Sequence, residues 1–123
     1  MSGNSYCLDT NILIYLVDGD KALASLLQGA NFYISFITEP ESLNYPDLKP
    51  EEKRETQQLL NGCNIIEINS AIKSIVIEIR SQYPVKLPDA MVNATAEYLD
   101  LSLLTADNGM DRMSELNVLL YKR

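Results

Sequence analysis

Apolar residues fall along this chain in two alternating rhythms. Short runs rich in β-branched and aromatic residues, such as Phe32-Tyr33-Ile34-Ser35-Phe36-Ile37, have strand character, whereas Ile72, Ile75, Val76 and Ile79 make one stripe on a helix. The pattern predicts a first strand at 5–8 that stops at Asp9-Thr10-Asn11, residues favouring turns and caps, and a helix that begins with the apolar run 12–17. After Asp18-Gly19-Asp20 comes a short helix carrying Ala22, Leu23, Leu26 and Leu27, closed at Gly29. A second strand at 32–37 leads into Thr38-Glu39-Pro40-Glu41, which has the form of a capping box with proline in the first turn, so a helix should run from there towards Tyr45 and Pro46. Pro50 opens a strongly charged helix at 51–60 that ends at Asn61-Gly62.

The same rhythm continues to the end of the sequence. A third strand is expected at 64–68, with Asn69-Ser70 as cap candidates for a helix reaching Tyr83 and ended by Pro84. Leu87-Pro88-Asp89 starts another helix at 90–98, whose Ala90, Ala94 and Ala96 permit close approach to a sheet. A fourth strand at 101–105, a turn and short helix at 107–116 and a fifth strand at 118–121 complete the reading. Strand and helix in repeated alternation argue for an α/β fold with a central, mainly parallel sheet of about five strands covered by helices.

Length and composition narrow the function. A chain of 123 residues, 46% hydrophobic and 22% charged, has the size and balance of a single folded domain, read here as 1–123. The formal charge of −7 disfavours nonspecific gripping of a polyanion. With no histidine, Ser-His-Asp and Cys-His catalysis and histidine metal sites are excluded, which leaves carboxylates as the catalytic groups. Cys7 and Cys63 are not spaced for zinc and lie in apolar surroundings, which suits buried, reduced thiols. The longest apolar run, 12–17, is far short of a membrane span, and no basic flank opens a signal peptide, so a cytoplasmic protein with no membrane partner is expected.

The acids can be placed against this frame. In open α/β sheets ligands bind beyond the carboxyl ends of the strands. Asp9 ends the first strand, Glu41 lies one turn into the helix after the second, Asp89 opens the helix before the fourth, and Asp107 follows the fourth. Each taken singly reads as a helix cap or a complement to a helix dipole. Together they would bring four carboxylates from distant segments to one sheet edge, where unpaired like charges repel unless cations hold them. Hard oxygen donors select Mg²⁺ or Mn²⁺, and such ions activate water for phosphodiester cleavage without any histidine.

These residues carry a resemblance. Leu8-Asp9-Thr10-Asn11-Ile12-Leu13, Ile34-Ser35-Phe36-Ile37-Thr38-Glu39-Pro40-Glu41, Lys86-Leu87-Pro88-Asp89-Ala90 and Leu103-Leu104-Thr105-Ala106-Asp107 occur in the order found in PIN domains, and the chain resembles the VapC-like toxins of bacterial type II toxin–antitoxin pairs over nearly its whole length. The resemblance implies a three-layer α/β/α sandwich and a Mg²⁺- or Mn²⁺-dependent endoribonuclease that cuts RNA. It also implies a homodimer held inactive by a cognate antitoxin. Asp9, Glu41, Asp89 and Asp107 become the acidic catalytic and metal-binding quartet, with Asn11 and Thr105 as supporting polar residues. Many relatives continue with Asp-Phe where this chain has Gly109-Met110, which bears on whether Asp107 meets metal directly; Asp111 is a weaker substitute. Arg80 and Lys86 precede Asp89 closely enough to reach substrate phosphate, and the stretch 43–48 offers apolar residues for an antitoxin helix. The rival readings are a noncatalytic PIN-fold module that binds RNA or protein, and a receiver-type phospho-acceptor domain. The latter wants an acceptor acid after the third strand, where this chain has Ile68-Asn69.

Overall fold

A computed structural model of the chain describes residues 4–109 and 117–123. Its elements are β1 (Ser5–Leu8), α1 (Thr10–Val17), α2 (Lys21–Leu26), β2 (Asn31–Ser35), α3 (Thr38–Leu43), α4 (Pro50–Asn61), β3 (Asn64–Ile66), α5 (Ser70–Gln82), α6 (Leu87–Leu99), β4 (Ser102–Thr105) and β5 (Val118–Leu120). The strands form one sheet in the order β3-β2-β1-β4-β5, and every pair is parallel rather than merely most of them. The third strand stops two residues earlier than the apolar run suggests, because Glu67 and Ile68 are exposed beyond the last ladder pair, Ser35 with Ile66. The greater part of the helix expected at 107–116 lies outside the described residues, as do Met110 and Asp111.

Alternate side chains of the central strands point to opposite faces, and each face carries helices. Leu8, Ile34 and Leu104 pack with Ile12 and Leu13 of α1, Leu23 of α2 and Leu60 of α4. Their neighbours Cys7 and Leu103 face the other way, onto Val92 and Ala96 of α6. On that second face Ile72, Val76 and Ile79 of α5 meet Ala90 and Ala94 of α6, so the small residues of α6 let the two helices approach. The result is the three-layer α/β/α sandwich. Burial pushes the Cys7 thiol up to about 12, with Asp9 adding to the shift, and keeps it inert. Cys63 is only half-buried and donates to the Leu59 carbonyl at 3.3 Å, so of the two thiols only Cys7 is fully enclosed.

The expected cap forms at Asn69, which accepts from Ile72 N–H at 2.9 Å, and Asp20, read from sequence only as part of a turn, also caps its helix by accepting from Leu23 N–H at 3.0 Å. The expected capping box at Thr38 does not form. Ile37 already has helical backbone angles (φ −68°, ψ −26°), so Thr38 lies inside the first turn rather than at an extended cap position. Its buried hydroxyl has no hydrogen-bond partner among the described residues, and Glu41 is left to seek a partner elsewhere.

Candidate active site

The sheet reverses direction of growth at β1. The chain leaves β1 for β2 on one side and later reaches β4 on the other, so the connections diverge and a crevice opens beyond the carboxyl ends of β1 and β4. Asp9 emerges there from β1, and Thr105 and Asp107 from β4.

Asp9 is the best-anchored acid. It is 6% exposed and caps α1, with Oδ1 accepting from Thr10 N–H at 2.8 Å. Its Oδ2 accepts from Thr105 Oγ1 at 2.6 Å and, at a longer 3.4 Å, from Asn11 Nδ2. Thr105 Oγ1 in turn accepts from Asp107 N–H at 3.0 Å, and Asn11 Oδ1 accepts from Ala106 N–H at 3.2 Å. Two neutral side chains thus lock the end of β1 to the loop after β4. Burial pushes the Asp9 carboxyl up to about 6; the Thr105 and Thr10 hydrogen bonds oppose the rise, while the charges of Asp89 and Asp107 add to it.

The remaining acids come from three other segments. Glu41, half-buried on α3, accepts from Thr10 Oγ1 at 2.8 Å through Oε1. Asp107 is exposed, and its Oδ1 accepts from Gly109 N–H at 2.8 Å; a Cβ at Gly109 would stand 3.2 Å from that oxygen, so glycine suits this tight turn. Asp89, in the first turn of α6, has its carboxyl raised by burial and then by the charges of Asp107 and Glu41, against the pull of Lys86. Its carboxylate accepts no hydrogen bond among the described residues, although its backbone carbonyl accepts from Asn93 Nδ2 at 2.8 Å. Asp89 and Asp107 thus act on Asp9, and Asp107 and Glu41 act on Asp89, which links the four acids through Asp89, although as the side chains stand no three described carboxylates converge on one point that would hold an ion.

No ion pair between described residues neutralises this group. Arg123 forms ion pairs with Asp18 at 3.0 Å and Asp20 at 3.3 Å on the α1–α2 turn, away from these acids. Of the two cations named from sequence, Lys86 is exposed and its charge is felt by Asp89. Arg80 instead donates from Nε to the Val85 carbonyl at 3.3 Å, which ties it to the α5–α6 turn. Thr10 was not legible as a site residue; the adjacency of a hydroxyl to Asp9 was the only signal for it. The donor chemistry, all oxygen, anionic and without a paired cation among the described residues, fits a hard divalent ion.

A parallel α/β sheet with carboxylates at its switch point defines a class with several members, and the comparisons select among them. The family model for the PIN domain matches residues 6–116, and the chain belongs to the PIN-domain family. It is similar to a chain of a toxin–antitoxin complex from Klebsiella pneumoniae, at 32% identity over 96% of this chain and 99% of that one, with a TM-score of 0.82. The same fold occurs in VapBC2 from Rickettsia felis bound to a DNA fragment from their promoter, at 19% identity, 96% and 99% coverage and a TM-score of 0.79. VapBC-1 from nontypeable Haemophilus influenzae shares it at 23% identity, 94% and 97% coverage and a TM-score of 0.73. No curated protein gives a match. Among the described residues no helix is long and apolar enough to cross a membrane.

Proposed function

We propose that this chain is a Mg²⁺- or Mn²⁺-dependent endoribonuclease, the toxin of a type II toxin–antitoxin pair, with Asp9, Glu41, Asp89 and Asp107 as its metal-binding and catalytic acids. One observation carries the reading: Asp9 is buried at the sheet edge and pushed up to about 6, first by burial and then by the charges of Asp89 and Asp107, and no described cation pairs with any of the four. Such a cluster stores repulsion that a divalent ion relieves. When bound, the ion supplies a Lewis acid that acidifies water and offsets charge developing on the phosphodiester. In the hydrolysis the water oxygen bonds to phosphorus as the bond to the leaving ribose oxygen breaks, and one water proton ends on that oxygen. Thr105 and Asn11 hold Asp9 in register with Asp107, while Lys86 stands beside Asp89 where it can meet substrate phosphate.

Asp9→Asn tests this reading: cleavage of RNA in Mg²⁺ or Mn²⁺ should disappear while the circular-dichroism spectrum is kept, and a folded variant that still cuts would refute it. A noncatalytic binding module has one observation in its favour, the lack of three convergent described carboxylates. Calorimetric titration with Mn²⁺ separates the two, since the module takes up none.

The antitoxin belongs to the same proposal, supported by the likeness to a chain of a toxin–antitoxin complex. A cavity of about 300 Å³ is lined by Ile14, Tyr45 and Leu48 together with Asp47, Glu52 and Arg123, a mixed lining that suits an amphipathic antitoxin segment. Leu43, grouped with this stretch by sequence, packs against the core instead, so Leu48→Asp is the cleaner probe. Homodimer formation completes the proposal and is read by sedimentation.

A further inference from the structure

Resting on the carboxylate site proposed above, we infer that Thr10 is a positioning residue that sets Glu41 for cation binding and couples it to Asp9. Thr10 is the first residue of α1 and is half-buried. Its backbone N–H donates to Asp9 Oδ1 and its hydroxyl donates to Glu41 Oε1, each at 2.8 Å. One residue therefore holds one oxygen of each of two acids, across a separation of 31 positions between Thr10 and Glu41. The direction of the second bond is fixed, because an ionised carboxylate only accepts. Oε1 is engaged, and Oε2 is left without a hydrogen bond among the described residues.

The alternative for Glu41 was local. A capping box would have turned its carboxylate back onto the backbone of its own helix, out of use for a ligand. That box is absent, the Thr38 hydroxyl is unpaired among the described residues, and the Glu41 side chain goes across to α1 instead. A free glutamate must give up rotamer freedom to bind an ion, and the Thr10 hydroxyl removes part of that freedom beforehand. A residue that merely fastened α1 to α3 would show its worth in stability and not in metal affinity, and the two roles can be told apart.

The test combines calorimetric Mn²⁺ titration with metal-free thermal denaturation of wild type, Thr10→Val, Thr10→Ser, Glu41→Gln and the Thr10→Val/Glu41→Gln double variant. Thr10→Val should weaken Mn²⁺ binding about tenfold, and Thr10→Ser should restore it to within about twofold of wild type. In the Glu41→Gln background Thr10→Val should have little further effect. In cleavage assays the half-saturating Mn²⁺ concentration should rise with Thr10→Val while the rate at saturating Mn²⁺ changes little. Thr10→Ala, which deletes the hydroxyl with less bulk, replaces Thr10→Val if the latter does not fold. Unchanged Mn²⁺ affinity in the hydroxyl-deleted variant, whatever its melting temperature, overturns the inference. Failure of Thr10→Ser to restore binding, or an undiminished effect in the Glu41→Gln background, does the same. A wild type that takes up no Mn²⁺ removes the site reading itself, and this inference with it.

Discussion

At Asp9 the fold works against an ionised side chain. A carboxyl at about 6 in the folded protein and 3.8 when unexposed to the fold means that the unfolded chain loses its proton first as pH rises. Between those values the folded state binds more protons, so the contribution of Asp9 to stability is greatest in acid and falls as pH climbs, by about 3 kcal/mol once both states are ionised. Asp9→Asn should therefore raise the metal-free melting temperature at pH 8, have little effect near pH 4, and abolish cleavage at either. Urea titrations at the two pH values check this, and a variant equally destabilised at both would contradict it. Thr105→Val deletes the hydrogen bond at 2.6 Å that favours the ionised form. The Asp9 carboxyl should rise further, so Mn²⁺ affinity should fall more at pH 6 than at pH 8 in calorimetry, because protons compete better with the ion.

The elements divide the labour between shape and site. The α5–α6 pair depends on Ala90 and Ala94, both wholly buried against Ile72, Val76 and Ile79. Ala94→Leu would force the helices apart or strain rotamers, at about 1–3 kcal/mol. Because Asp89 opens α6, the displacement should also weaken Mn²⁺ binding; denaturation and metal titration of one sample read both effects. Elements of this kind were legible from periodicity, since α5 and α6 need only their own stripe and small residues. Strand ends were less so: Ile68 continues the apolar alternation beyond Glu67, yet the ladder with β2 ends at Ser35 and Ile66.

For the whole molecule, a net charge of −7 measures the surface and not the site. Divalent ions held by the carboxylates would reverse the sign that RNA meets locally, while the rest of the surface still repels it. RNA affinity measured by anisotropy with Ca²⁺ in place of Mg²⁺ should therefore show a shallow salt dependence, with a log–log slope of about −2 for a few phosphate contacts. A steep slope would indicate a broad basic grip that the surface does not offer.

The order of strands and helices, the missing histidine chemistry and the four acids at strand ends and helix starts were all set by sequence, because periodicity, caps and residue type act over a few neighbouring positions. Tertiary structure alone decided what those acids touch. Thr38 and Glu41 have the spacing of a capping box, yet the helical angles of Ile37 and the approach of α1 carry Glu41 to Thr10 instead. Arg80, three positions further from Asp89 than the turn residue Tyr83, spends its guanidinium on the Val85 carbonyl, whereas Lys86 keeps its charge beside the site. Thr105 meets Asp9 across 96 positions because β1 and β4 are neighbours in the sheet. Contacts between segments so far apart depend on how the layers close, which no local pattern of residues contains.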